Sequence, residues 1–199
     1  MKKAGLYFGT YNPIHTGHLI IAATVQEEAG LDEVWFVVSP QNPFKKNDTP
    51  VHARDRLEMV HLAIEGNDPF RACDIEFNLP KPSFTIDTLT YISEQYKQHS
   101  FALIIGEDNL LHFHKWKNYE KILQYYKVLV YPRPPKNGDA GENTVNEALQ
   151  RHPSVCRITK PLMEISSSGI RERLKAGKSI RYFVPDAVIK YIEKYGLYA

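Results

Sequence analysis

Two histidines, His15 and His18, stand three positions apart in the run Y-N-P-I-H-T-G-H. Side chains at positions i and i+3 of a helix lie on one face, so both imidazoles can point towards one ligand. An apolar strand that breaks at Gly9 precedes them, and a helix that starts after such a turn binds phosphates through its unpaired N–H groups. This context predicts phosphate binding, with imidazole N–H groups supporting developing negative charge. Zinc binding is an alternative, although no third ligand stands nearby at a familiar spacing.

A second candidate phosphate site lies late in the sequence, in the run I-S-S-S-G-I-R. Three hydroxyl groups at a helix start, with Arg171 inside the first turn, form a strong phosphate site together with the unpaired N–H groups. A serine that simply caps the helix accounts for the same run. The run taken alone leaves both interpretations open.

Three further side chains could contact a nucleotide. Lys45 stands beside Lys46 on the predicted loop after the second strand and could reach a phosphate, although paired lysines are more often solvated surface residues. Arg133 stands between two prolines at the end of a strand, and the stiff prolines favour a fixed role. Trp116 could stack on a flat ring, although tryptophan more often fills a core.

These residues must be positioned by secondary structure, which the apolar pattern predicts. Short apolar runs bounded by turn residues indicate strands, and amphipathic runs indicate helices. Their alternation predicts an α/β fold: a doubly wound parallel sheet with helices on both faces and a small C-terminal helical part. The predicted strands are 4–8, 33–39, 70–75, 100–106, 127–131 and 155–158, and the predicted helices are 19–29, 52–64, 83–97, 119–124, 168–176 and 185–195.

Ligands of such sheets bind at the carboxyl ends of the strands, where the strand order reverses. The residues with chemical potential cluster after four of the predicted strands, in segments 9–18, 39–46, 106–116 and 131–134. This clustering predicts a single active site at that edge of the sheet.

Composition restricts the class of protein. At 199 residues, the chain is expected to form one domain, residues 1–199, with its C-terminal helical part at about 160–199. A formal net charge of +2 indicates neither a nucleic-acid nor a membrane partner. The sequence has no signal-peptide pattern and no apolar run long enough to span a bilayer, so a cytoplasmic location is expected. The oligomeric state is not determined, and a homo-oligomer stays open.

Taken together, the runs G-T-Y-N-P-I-H-T-G-H and I-S-S-S-G-I-R resemble the two signature motifs of the nucleotidylyltransferase superfamily. The whole chain resembles the bacterial nicotinate-nucleotide adenylyltransferase family, through P-S-F-T-I-D-T-L at 82–89, I-G-E-D at 105–108 and the late run V-P-D-A-V-I-K-Y-I-E-K-Y-G-L-Y. Departures from the family pattern leave the expected phosphate ligands in place: Phe8 replaces a second glycine, Tyr11 a phenylalanine, Phe44 a histidine and Ser168 a threonine.

The resemblance implies a Rossmann-like fold and transfer of the adenylyl group of ATP to nicotinate mononucleotide, which gives deamido-NAD and pyrophosphate. It implies Mg²⁺ as cofactor, carried by the ATP phosphates and not by a metal site of the protein. It assigns positioning and charge neutralisation to His15, His18, Lys45 and Arg171. The implied ATP-binding residues are Gly9, Thr10, His15, His18, Gly106, Asp108, Ser167 and Arg171, and the implied mononucleotide-binding residues are Asn12, Lys45, Thr85, Trp116, Lys117 and Arg133.

Other functions stay open on sequence alone. A sister enzyme would use nicotinamide mononucleotide or pantetheine phosphate as acceptor, although the S-F-T-I-D-T-L segment and Trp116 favour nicotinate. A regulatory module that binds a nucleotide without catalysis would not need to retain His18. A dehydrogenase is disfavoured because no G-x-G-x-x-G run follows the first strand.

Overall fold

Alternating strands and helices are observed in the computed structural model, which describes residues 1–40, 51–133, 148–159 and 164–198. Lys45 and Lys46 lie outside the described residues. Two short 3-10 helices lie at Ile75–Phe77 and Phe113–Lys115. The strands are β1 (Lys2–Gly9), β2 (Glu33–Val38), β3 (Phe70–Cys73), β4 (His99–Gly106), β5 (Lys127–Tyr131) and β6 (Val155–Arg157); the helices are α1 (Thr16–Ala29), α2 (Ala53–Ile64), α3 (Thr85–Gln95), α4 (Glu107–Leu111), α5 (Tyr119–Tyr125), α6 (Ser167–Lys175) and α7 (Asp186–Tyr195).

The six strands form one parallel sheet in the order β3-β2-β1-β4-β5-β6. Chain order runs outward from β1 in one direction and outward from β4 in the other, so the order reverses between these two neighbours. Crevices form at the carboxyl ends of strands at such a reversal, because the two connecting loops leave in opposite directions. The predicted doubly wound sheet is confirmed, and its central crevice lies beyond Gly9 and Gly106.

Helices cover both faces of the sheet, as predicted. Along β2, Val34 and Phe36 belong to one apolar core, and Trp35 and Val37 belong to the other, because successive side chains of a strand point to opposite faces. Helices α1, α2, α6 and α7 pack on the first face, and α3, α4 and α5 pack on the second. The two C-terminal helices therefore share a core with α1 and α2.

Helix α1 begins earlier than the apolar pattern predicted. Its first residue is Thr16 and its N-cap is His15, whereas the expected start was Leu19. The difference places His18 inside the first turn, where its backbone N–H donates to the carbonyl of His15 over 2.9 Å. The helix ends at Ala29 and is capped by Gly30, whose φ of 59° is a left-handed conformation that glycine adopts without strain.

Among the described residues, no helix combines the length and apolarity that a membrane crossing requires. Cys73 and Cys156 are both free thiols. Burial raises the pKa of the Cys73 thiol to about 11, so this side chain is a packing residue and a poor nucleophile at neutral pH.

Candidate active site

A cavity of about 190 Å³ lies at the carboxyl ends of β1 and β4, where the strand order reverses. Its walls come from β1 and the following turn, from the start of α3, and from the segment after α4. Six of the residues that the sequence predicted for the site line this one cavity: Gly9, Thr10, Thr85, Gly106, Trp116 and Lys117. These six residues therefore converge on one cavity at this edge of the sheet.

The two histidines stack on each other at the start of α1. Their ring centroids are 3.7 Å apart, and the ring planes are inclined by 24°. His15 is only 3% exposed, and its backbone N–H donates to Nδ1 of His18 over 3.2 Å. Within residues 1–40, 51–133, 148–159 and 164–198, no three His, Cys, Asp or Glu side chains cluster in a way that could hold a metal ion.

Both imidazoles are neutral at pH 7. Burial, followed by the positive charge of Arg133, lowers the pKa of His15 to about 4. Burial, followed by the neighbouring His15 and Arg133, lowers the pKa of His18 well below its usual value of 6.5. Because Nδ1 of neutral His18 accepts a hydrogen bond, its single proton resides on Nε2. His18 can therefore donate one N–H to an anion, and it is poorly suited to act as an acid.

The serine and arginine motif contacts the turn that bears the histidines. The Ser167 hydroxyl donates to the carbonyl of Pro13 over 2.9 Å. A guanidinium N–H of Arg171 donates to the carbonyl of Asn12 over 2.8 Å. Ser166 supplies the plain helix cap, because its Oγ accepts from the N–H of Gly169 at 3.2 Å. The helix-cap interpretation therefore holds for Ser166, and phosphate binding by Ser167 and Arg171 stays a prediction.

Asn12, predicted to contact the mononucleotide, is largely buried. It is 3% exposed, and its Oδ1 accepts a hydrogen bond of 2.6 Å from the hydroxyl of Tyr198. Gly9 stands close to the ring of Tyr11, where a Cβ would lie 2.8 Å from Cζ. The turn after β1 therefore requires a residue without a side chain at position 9.

Asp108 and Arg133 form an ion pair beside Gly106. A guanidinium nitrogen of Arg133 lies 2.8 Å from Oδ2 of Asp108. The other carboxylate oxygen, Oδ1, is buried and has no hydrogen-bond partner among the described residues. A Cβ at Gly106 would lie 2.5 Å from this oxygen, so only glycine lets the carboxylate approach β4 so closely. A buried unpaired oxygen is costly, and a hydroxyl group of a ligand would satisfy it.

The opposite wall of the cavity offers backbone donors. Thr85 is the first residue of α3, and among the described residues its N–H has no acceptor. The Lys117 N–H is likewise unpaired within the described part of the chain, and the Lys117 ammonium group lies 2.8 Å from the Asp87 carboxylate. Trp116 also lines the cavity and is half-buried, with its ring centroid 5.1 Å from that of Phe113.

The sequence analysis did not predict a role for two polar residues of this region. Arg56 is 1% exposed and donates to the carbonyls of Thr10, Ser39 and Pro40, so it ties the turn after β1 to the end of β2. Its spacing was the available signal, because Arg56 falls in the i, i+3, i+4, i+8 series of the buried residues Met59, Val60 and Ile64.

The second missed residue is Glu76, which lines the cavity and is 3% exposed. Its Oε1 accepts a hydrogen bond of 2.9 Å from the Thr88 hydroxyl in the first turn of α3. A carboxylate at that position stabilises the start of the helix through the helix dipole. No sequence pattern indicated a role for Glu76, because its contact with Thr88 depends on how the 3-10 helix Ile75–Phe77 packs against α3.

Comparison with known proteins places the chain in a family. A family model described as cytidylyltransferase-like matches residues 6–173. A protein of Cytophaga hutchinsonii named "probable nicotinate-nucleotide adenylyltransferase" is 56% identical over 96% of this chain and 95% of its own length. A protein of Flavobacterium johnsoniae with the same name is 47% identical over 98% of both chains.

Among solved structures, the nicotinic acid mononucleotide adenylyltransferase of Plasmodium falciparum complexed with NaAD superposes with a TM-score of 0.78. The two chains are 20% identical, and the match covers 100% of this chain and 98% of the other, so the likeness concerns the fold. The sequence relatives are close and nearly full-length. The chain belongs to the cytidylyltransferase-like family and, within it, to the nicotinate-nucleotide adenylyltransferases.

Proposed function

We propose that the protein transfers the adenylyl group of ATP to nicotinate mononucleotide, which gives deamido-NAD and pyrophosphate. The observation that carries the proposal is the joining of two phosphate motifs beside one cavity. Arg171 and Ser167 hydrogen-bond to the turn that bears the histidines, and the adjoining cavity offers Thr85 and Trp116. This arrangement supports binding of a triphosphate at the histidine turn and of a flat aromatic acid in the adjoining cavity.

The chemical step needs no base from the protein. A phosphate oxygen of nicotinate mononucleotide attacks the α-phosphorus of ATP and forms a new P–O–P linkage. The bond from the α-phosphorus to the bridging oxygen breaks, and pyrophosphate leaves with the electron pair. The attacking phosphate is already an anion, so catalysis depends on alignment of the two substrates and on neutralisation of charge.

The histidines supply neutral donors for that charge. We assign the Nε2–H of His18 to an oxygen of the phosphate chain of ATP, where negative charge grows as pyrophosphate leaves. His15, stacked against it at 3.7 Å, supports the same phosphates. A preformed donor of this kind costs no reorganisation in the transition state.

The remaining assignments follow from position. Arg171 and Ser167 hold the β/γ end of ATP, and Gly9 and Thr10 contact it through the backbone. The unpaired Oδ1 of Asp108, beside Gly106, accepts a hydrogen bond from a ribose hydroxyl. Arg133 binds the mononucleotide phosphate while its ion pair with Asp108 holds it in place. Lys45, outside the described residues, is assigned to the phosphates by the family resemblance.

Mg²⁺ is proposed as the cofactor that accompanies ATP. The imidazole, guanidinium and hydroxyl groups around the histidine turn can donate to phosphate oxygens, and none of them is a carboxylate, the side-chain ligand that Mg²⁺ prefers. Mg²⁺ favours phosphate oxygens and water as ligands and needs few from the protein. Such an ion would therefore enter on the phosphates and withdraw charge from them.

Selection of the acid over the amide is assigned to the start of α3. The unpaired N–H groups of Thr85 and Lys117 can both donate to the nicotinate carboxylate, and the positive end of the α3 dipole favours its charge. Hydrogen bonds to a charged acceptor are stronger than those to a neutral amide. Trp116 stacks on the pyridine ring.

The test is to incubate the protein with ATP, Mg²⁺ and one acceptor at a time, and to measure pyrophosphate release. Nicotinate mononucleotide is expected to give the highest kcat/KM. A higher value with nicotinamide mononucleotide or pantetheine phosphate would replace the proposal with a sister activity. No release with any acceptor, together with ATP binding in calorimetry, would favour a binding module.

A further inference from the structure

The turn that carries the two histidines is held from outside the cavity by the C-terminal helices and the segments that flank them. Besides Ser167 and Arg171, the carbonyl of Phe183 accepts from the N–H of Thr16 over 2.9 Å. The Tyr198 hydroxyl reaches Asn12, which lies 186 positions away along the chain. Ser167, Arg171 and Phe183 contact backbone groups of the turn, whereas Tyr198 contacts a side chain, that of Asn12.

Tyr198 is suited to hold another residue and not to touch substrate. It is 7% exposed, its ring packs in the core shared by α1, α2 and α7, and it is not among the residues that line the cavity. Its hydroxyl lies 2.6 Å from Oδ1 of Asn12. Burial raises the pKa of this phenol above its usual value, so the hydroxyl stays protonated and donates.

This donor fixes the orientation of the Asn12 amide. An asparagine amide can turn over and exchange its oxygen and nitrogen, and the choice depends on the hydrogen-bond partners present. Within the described ranges, Tyr198 is the one side-chain partner of the Asn12 amide. The Asn12 carbonyl is held separately by Arg171, so the side chain and the backbone of this residue are each anchored.

We propose that Tyr198 is a positioning residue for catalysis: its hydroxyl holds Asn12 and, through the turn that follows, sets the places of His15 and His18. The inference rests on the proposed function of those histidines. Removal of the hydroxyl leaves the buried Oδ1 of Asn12 unsatisfied and lets the turn relax. The cavity wall that contacts nicotinate, at Thr85 and Trp116, does not contain this contact.

The test compares Tyr198→Phe with the matched variant Tyr191→Phe. Tyr191 lies on α7 and donates to Oδ1 of Asp55 over 2.9 Å, so its replacement removes the same atom without touching the turn. Tyr198→Phe is expected to lower kcat roughly tenfold while KM for the mononucleotide changes less than about twofold. Tyr191→Phe is expected to keep both constants near those of the parent protein.

A second readout does not depend on activity. The ring ¹⁵N resonances of His15 and His18, assigned with histidine variants, should shift in Tyr198→Phe and stay in place in Tyr191→Phe. If the parent protein makes no pyrophosphate, the proposed function fails, and these resonances still test the positioning role. Unshifted resonances, an unchanged kcat, an equal loss in Tyr191→Phe, or a matching rise in KM would each overturn the inference.

Discussion

Nδ1 of His18 accepts a hydrogen bond from the backbone N–H of His15, over 3.2 Å. The same contact caps the first turn of α1 and fixes the proton of the neutral imidazole on Nε2. One side chain thus serves the helix with its first nitrogen and can serve a phosphate with its second. The two roles can be separated by substitution.

Replacing His18 with asparagine should separate them. The Asn Oδ1 can take the place of Nδ1 and keep the cap, while no donor remains at the position of Nε2. We expect kcat for pyrophosphate release to fall by about 100-fold or more, as for loss of one transition-state donor. The melting temperature should stay close to that of the parent protein.

His18→Gln is the complementary variant, because its amide reaches towards the Nε2 position and should retain more turnover than His18→Asn. His61→Asn, on the exposed side of α2, controls for loss of an imidazole. Turnover of His18→Asn within tenfold of the parent would contradict the assigned role.

The lowered histidine pKa values predict an acid-sensitive fold. Between pH 6.5 and about 4, the unfolded chain binds protons on these imidazoles that the folded chain does not bind. Their neutral form therefore contributes fully to stability above pH 6.5, and the contribution is lost as the pH falls towards 4. The expected slope is up to about 1.4 kcal/mol per pH unit for each histidine.

Urea unfolding at several pH values in this window measures the slope. His18→Asn lacks one of the two titrating groups, so its free energy of unfolding should depend less steeply on pH. The same slope in the parent protein and in His18→Asn would show that other groups cause the acid sensitivity.

Thr85→Pro removes a single backbone N–H from the cavity. Proline is well tolerated as the first residue of a helix, and Phe84 before it already has the extended φ and ψ of −107° and 143° that a following proline requires. We expect kcat/KM for nicotinate mononucleotide to fall by about 10- to 100-fold, and that for nicotinamide mononucleotide to fall less.

Thr85→Ala keeps the N–H and should retain the preference for the acid, so it controls for loss of the threonine side chain. Equal losses for both acceptors in Thr85→Pro would indicate blockage of the cavity by the proline ring and would argue against the carboxylate contact.

Tryptophan fluorescence should report the mononucleotide through Trp116. The chain has two tryptophans, and the other, Trp35, is 0% exposed in the core. Nicotinate mononucleotide is expected to quench the tryptophan emission of the parent protein and to leave that of Trp116→Phe unchanged. Trp116→Leu, which cannot stack, should raise KM about tenfold. Quenching of the same size in Trp116→Phe would place the pyridine ring elsewhere.

Much of the sheet could be predicted because its signals are local. Each strand is a short apolar run that ends at a turn residue, as β1 does at Gly9 and β4 at Gly106. The clustering of polar residues after those strands then located the cavity without knowledge of strand order. The start of α1 was predicted too late, because the pattern of apolar residues begins only at Leu19 whereas His15 and His18 cap each other.

The supports of the site could not be predicted, because they join residues far apart in sequence. The burial of Arg56 follows from its helical spacing, but the three carbonyls that it contacts come together only in the folded chain. In the sequence, Tyr198 resembles an ordinary core residue, and its ring does pack in the core. Local patterns identify groups that face a ligand, whereas the groups that hold them are selected by tertiary packing.

The hydrogen bond between Asn12 and Tyr198 also has a consequence for how the protein is made. The ribosome translates the histidine turn early, whereas Ser167, Arg171 and Tyr198, three of its hydrogen-bond partners, are translated late. Domains begin to fold during synthesis. The turn between β1 and α1 therefore leaves the ribosome before these three hydrogen bonds can form. A chain that has not yet been translated past Tyr198 therefore carries both histidines without these three contacts.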